Sequence, residues 1–221
     1  MAIPFKRKYE SARQIERQSE ILKCARRILQ TAGYSGLTMR NLAREASVAP
    51  ATLYNLYGSK DDLIVAAVED LFDKLSAQAE LSDNQGIKAV LRLNQLSANQ
   101  IKATPNVTEA MARALFGSNS SFNTPLEALF APGYSFIVQQ LKIAKAKDEI
   151  YSEVDVEVIG KHLVGQGWGM VLLWMMGMFT IEQSYDERMR SQLMSLLTVA
   201  KGPTYEYLKE ELDNIGWGAG K

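Results

Sequence analysis

Apolar residues recur at every third or fourth position along almost the whole of this 221-residue chain. No stretch alternates with the period of two that a half-buried strand requires. A chain patterned in this way can bury its apolar side chains only as packed helices, so the sequence reads as all-α. Its length is enough to enclose a sizeable core and suits one or two domains.

The punctuation of the pattern is sharpest near the start. Ile21, Leu22, Ala25, Ile28, Leu29 and Ala32 mark one face of a first helix, which Gly33 closes. Met39, Leu42, Ala43 and Ala46 mark a short second helix with Thr38 as its N-cap. Pro50 opens an equally short third, with Leu53 and Leu56 or Tyr57 inward and Gly58 at its end. Ser59 starts a long fourth helix with Asp62 completing a capping box, and Ile64, Ala67, Leu71, Phe72 and Leu75 form its buried stripe. Further helices are separated by breakers at Gly86, Thr104-Pro105, residues 117–125, Pro132-Gly133 and the polar run 145–153. The last two long helices are expected over about residues 155–181 and 186–200, before Pro203 restarts a short terminal one.

Charge is balanced overall, 25 Lys and Arg against 25 Asp and Glu, but not along the chain. Residues 1–60 hold 11 basic and 4 acidic side chains, and residues 61–221 hold 14 and 21. A basic module joined to an acidic one is the electrostatic outline of a nucleic-acid-binding domain carried by something else. The opening MAIPFKRKYE reads as a loose basic arm rather than a signal peptide, because no apolar stretch follows its charges. The single Cys24 allows no internal disulfide and suits a reducing cytoplasm. Residues 162–181 carry no formal charge, yet they include His162, Gln166 and four glycines without a flanking basic cluster. They are expected to form a buried helix rather than a membrane span.

Two short helices joined by Ala46-Ser47-Val48-Ala49 have the spacing of a helix-turn-helix, whose second helix enters the major groove. The continuous string at residues 36–63, GLTMRNLAREASVAPATLYNLYGSKDDL, resembles the DNA-binding signature of the TetR family of transcriptional regulators. The likeness rests on Thr38 at the start of helix two, Val48 in the turn, Thr52-Leu53-Tyr54 in the third helix, Tyr57, and Ser59-Lys60 before the acidic pair Asp61-Asp62 and Leu63. With the first helix it covers about residues 14–75. It implies a three-helix DNA-binding domain at residues 1–60, basic arm included, and a larger helical ligand-binding and dimerisation domain at residues 61–221. It further implies a homodimeric repressor that binds double-stranded, pseudo-palindromic operator DNA and is released by a small apolar effector.

The resemblance places base-reading positions at Arg40, Pro50, Ala51, Thr52 and Asn55, where Arg40 suits guanine and Asn55 adenine. Tyr54 can set its hydroxyl on a phosphate, and Lys60 sits at a helix N-terminus that already favours an anion. A surface salt bridge with Glu45 or a neighbour is the alternative for Arg40. Two positions depart from the family pattern. Ser47 stands where Gly is usual, at a cost of roughly 1 kcal/mol if the backbone there is left-handed. Leu56 stands where a His or Tyr often meets phosphate.

In the acidic part, Gly165 and Gly169 lie four apart on one helical face around Trp168, and Met189, Leu193, Leu196 and Leu197 stripe the next helix. They are read as the dimer interface, in line with the pairing the resemblance implies, with an intrachain core as the alternative. Met111, Phe116, Tyr134 and Trp174 suit an adaptable apolar pocket, with His162 and Gln166 as its polar anchors, or else a plain core. One His and one Cys, with no metal-binding, phosphate-loop or nucleophile-elbow motif, leave no catalytic site, metal site or cofactor to expect. A ligand-independent or membrane-associated regulator with the same DNA-binding domain stays open at this point.

Overall fold

The computed structural model describes residues 12–80, 85–116 and 126–217. The basic arm and the breaker stretch 117–125 lie outside them. Among the described residues there are ten helices: α1 (Ala12–Gly36), α2 (Met39–Glu45), α3 (Pro50–Tyr57), α4 (Lys60–Glu80), α5 (Ile87–Ala103), α6 (Pro105–Phe116), α7 (Leu126–Ala146), α8 (Val156–Met175), α9 (Ser184–Leu197) and α10 (Gly202–Ile215). The β content described is one isolated bridge, Ile150 to Ala200, which ties the loop before α8 to the loop after α9.

The local signals of the first four helices act as their chemistry dictates. Gly33 takes φ 64°, a left-handed value that breaks α1 near its end. Thr38 caps α2 by accepting from the Asn41 N–H at 3.1 Å. Pro50 fills the first turn of α3, and Gly58 at φ 75° terminates it. Ser59 Oγ accepts from the Asp62 N–H at 3.1 Å and donates to the Asp62 carboxylate at 2.6 Å, fixing the start of α4.

The turn between α2 and α3 carries strain, because Ser47 sits at φ 52°. A left-handed L-residue costs about 1–2 kcal/mol, and glycine gives back about 0.5–1 of that through its looser unfolded chain. Ser47→Gly is therefore expected to stabilise the protein by about 0.5–1 kcal/mol, read as a higher urea midpoint at unchanged slope. A lower midpoint would mean that the Ser47 side chain contributes more than its backbone costs.

Two cores form. The first gathers Ala25 and Leu29 of α1, Leu42 of α2, Leu53 of α3 and Leu63 and Ile64 of α4, with Val107 and Met111 of α6 closing it. The second joins Leu75 and Ala79 of α4 to α5, α7, α8, α9 and α10. α4 thus belongs to both, and an ion pair between Arg26 and Asp70 at 2.7 Å fastens its middle to α1.

Three helix boundaries differ from the sequence reading. α7 runs through Pro132-Gly133: a proline removes one backbone bond and bends a helix, but the packing of Phe136, Ile137, Leu141 and Ala144 into the second core holds this one together. α8 stops at Met175 rather than near Ile181, because Gly177 turns the chain at φ 76°. α10 is a full 14 residues, anchored by Leu208 and Leu212. Among the described residues no helix is long and apolar enough to cross a membrane.

Candidate nucleic-acid interface and internal cavity

α3 is only eight residues long, and one of its side chains, Leu53, is fully buried. That anchor orients the rest. Pro50, Ala51 and Asn55 are exposed, Thr52 is half-buried, and Tyr54 stands 55% exposed beside Leu56 at 38%. From the start of α2, Thr38 and Arg40 are exposed as well. Glu45, the alternative partner of Arg40, is taken by Arg27 at 2.6 Å, and Arg44 bonds Asn41 at 2.8 Å. Among the described residues Arg40 therefore keeps its guanidinium free of an ion pair.

Lys60 is turned inward. Its ammonium donates to the Tyr34 carbonyl, an acceptor at the frayed end of α1, and lies 3.5 Å from the centre of the Tyr34 ring. Burial holds this ammonium below its usual range, against the pull of Asp61. The Tyr34 hydroxyl donates to Asp61 at 2.7 Å. Burial and that bond push its pKa up to about 12. Tyr34, Lys60 and Asp61 thus clamp the start of α4 to the end of α1, a structural role beside the phosphate contact expected of Lys60. Sequence reasoning missed Tyr34, and its position directly after the helix-ending Gly33 was the available signal.

A cavity lies between α4, α5, α6, α7, α8 and α9, with about 80 Å³ open to the centre of a water molecule. Its walls are largely apolar, with Leu71, Phe72, Leu93, Ile137, Leu163, Trp168 and Val171 among them; Asn94, Ser97, Gln100, Thr108, Arg188 and Gln192 supply polar groups. Of the pocket residues expected from sequence, Met111 lines it. The others do not. Tyr134 faces a shallow groove along α7 with Ser135 and Val138. His162 is exposed and Trp174 half-buried outside the cavity. Gln166 donates to Ser195 Oγ at 2.5 Å, and the side chain of Phe116, at the end of α6, lies outside the described residues. The reason is helical phase: Leu163, Val164, Gly167, Trp168 and Val171 form the inward face of α8, so His162 and Gln166 fall beside it.

The same phase corrects the proposed interface. Met189, Leu193 and Leu196 are fully buried in the subunit's own core, where α9 packs on α5, α8 and α10, so they have no area left to give a second copy. Leu197 is half-buried against that core, and Trp168 faces the cavity. Gly165 and Gly169 remain on the open side of α8, where a Cβ built on either meets no atom within 4 Å. Exposed beside or beyond them are Val158, Met175, Met176, Met178 and, on α9, Met194.

Residues 21–67 match the family model described as bacterial regulatory proteins, tetR family. The chain is similar to the HTH-type transcriptional repressor KstR of Mycobacterium tuberculosis, 34% identical over 114 residues that make up 50% of this chain and 52% of the repressor. It thus spans about half the length of the KstR repressors it matches. In fold it resembles a TetR transcriptional regulator from Rhodococcus sp. RHA1, at a TM-score of 0.67 and 16% identity over 84% of this chain and 99% of the other. It also resembles the transcriptional regulator FadR from Bacillus subtilis in complex with stearoyl-CoA, at a TM-score of 0.59 and 16% identity over 80% and 95% of the two chains.

Proposed function

We propose that this chain, a member of the TetR family through residues 21–67, is a homodimeric transcriptional repressor that leaves a pseudo-palindromic operator when a small molecule fills the cavity. The observation that carries the reading is that Ala51, Tyr54 and Asn55, spaced to share one face of α3, are exposed together with Arg40 of α2, while Leu53 is buried. Together they match what major-groove recognition needs: a short helix held from behind, one small residue for close approach, one guanidinium and one amide for base edges. Residues 1–60 are the DNA-binding part and the remainder the ligand-binding and dimerisation part.

Gating follows from the path of α4. Its first residue clamps α1 through Tyr34, and Leu71, Phe72 and Leu75 further along line the cavity. Trp168 both lines that cavity and packs against the first core. A ligand that moves these side chains moves the base of the DNA-binding domain, and with it the separation of two recognition helices across a dimer, roughly 34 Å on DNA. Effector and operator must then weaken each other's binding reciprocally.

The test is in vitro selection of bound DNA followed by substitution. Arg40→Ala and Asn55→Ala are expected to cost about 1–3 kcal/mol at particular operator positions and to relax preference there. Tyr54→Phe removes a phosphate contact, so it should weaken binding to all sequences by a similar factor and leave preference intact. A panel in which every variant stays folded and binds DNA like the parent would overturn the interface.

A further inference from the structure

Every charged side chain that a protein buries needs a partner, and Arg188 of α9 lines the cavity without an acidic one. Its Nε donates to Asn94 Oδ1 at 2.7 Å and its Nη1 to the Gly167 carbonyl at 2.6 Å. Both acceptors are neutral. Among the described residues no carboxylate lies within 4.0 Å of the guanidinium; Glu187, next to it in the chain, is turned to Arg190 at 2.7 Å. Burial without a countercharge lowers the pKa of Arg188 to about 10, a displacement that still leaves it a cation at neutral pH.

The guanidinium is also held in place. Asn94 donates through Nδ2 to Met189 Sδ at 3.1 Å, which leaves its Oδ1 aimed at Arg188. Gly167 makes room for the group, since a Cβ there would come within 2.9 Å of Nη2. Two of the five N–H donors are used in this way, and those on Nη2 have no acceptor among the described residues. One turn along α9, Gln192 is 6% exposed, lines the same cavity, and has a buried Oε1 with no partner. Rotating its terminal amide exchanges that oxygen for an N–H₂ group. The cavity therefore offers a fixed cation and an adjustable amide one turn apart on α9, beside the apolar side chains of Leu71, Phe72 and Ile137 and the ring of Trp168.

We infer that the cavity takes an organic monocarboxylate with an apolar body, its head paired with Arg188 and Gln192 and its body against α4, α7 and α8. This rests on reading the cavity as the effector site, and it refines the small apolar effector expected from sequence. A carboxylate supplies the missing countercharge, and its two oxygens match the fork that a guanidinium presents. The matched alcohol fills the same apolar wall but leaves Arg188 uncompensated.

The full chain is titrated by calorimetry with decanoate against decanol and with naphthoate against naphthylmethanol, and release of selected DNA is followed with the same compounds. At least one acid is expected to bind about tenfold to a hundredfold tighter than its alcohol and to release DNA. Arg188→Met should bring the acid down to the affinity of the alcohol, and Arg188→Lys should keep part of the difference. If Arg188→Met does not fold, judged by circular dichroism, the acid-to-alcohol ratio of the parent protein decides. An alcohol that binds as tightly as its acid overturns the carboxylate inference and leaves the effector reading standing. Acids that bind tightly without releasing DNA uphold the cavity chemistry and overturn gating by it. Failure of all four compounds to bind overturns both.

Discussion

Leu53→Ala is expected to destabilise the DNA-binding part by about 2–5 kcal/mol and to abolish operator binding even where most molecules remain folded. An isolated helix of eight residues is far below the roughly 12–15 at which a helix begins to hold in water, so α3 exists only through what it buries. Leu53 is its one fully buried side chain, meeting the first core beside Leu42 and Leu63. Truncating it leaves a cavity directly behind the exposed Tyr54 and Asn55, and the surface that meets DNA loses its fixed orientation. Leu53→Met keeps the volume and should cost less than about 1.5 kcal/mol. Urea denaturation and DNA titration of both variants read this out. Equal stability of Leu53→Ala and the parent would show that α3 is held by something other than its inward face.

The first four helices were legible because each of their boundaries depends on a residue that acts locally. Gly33 and Gly58 take left-handed backbone, Thr38 and Ser59 cap, and Pro50 starts a helix, whatever the rest of the chain does. The cost expected at Ser47 was legible for the same reason, and its φ of 52° carries it. Lys60 was only half legible. Its place at a helix start is written in sequence, but the orphan carbonyl of Tyr34 that draws its ammonium inward is a product of the α1 break.

Beyond α4 the pattern loses its phase. A helix such as α8, apolar nearly all round, does not say which face is inside. Packing against α6, α7 and α9 turns Leu163, Gly167 and Val171 inward and leaves His162, Gly165 and Gly169 outside, so the expected pocket anchors fell on the wrong side. In α9 the stripe Met189, Leu193, Leu196 was recognised as buried, but its partners lie in the same subunit. Nothing in the sequence set Arg188 apart from the other 24 Lys and Arg residues. Its meaning comes from Asn94, some ninety positions earlier, and from the absence of any acid beside it among the described residues.

Gly169→Leu is expected to turn the proposed dimer into a folded monomer and to weaken operator binding by about a hundredfold to ten-thousandfold, the range gained when two linked sites engage together. On the outer side of α8, Gly165 and Gly169 face open space, and Val158, Met175 and Met176 along the same chain segment are exposed, the last of these 76%. Exposed apolar side chains and two small residues suit close approach of a second helix, and a two-fold operator calls for a two-fold protein. Because no atom of another element lies within 4 Å of a Cβ at Gly169, the position has room for a side chain to start outward from α8. Replacing a mid-helix glycine should raise the stability of the single chain slightly, by up to about 1 kcal/mol. The variant thus separates assembly from folding: sedimentation should give monomers, while the melting curve shows an intact fold. By contrast Leu193→Ala, which cuts into the subunit's own core, should lower stability by about 2–5 kcal/mol whether or not the protein is dimeric. A Gly169→Leu protein that remains dimeric and binds operator with the affinity of the parent would place the two-fold contact on another face of the molecule.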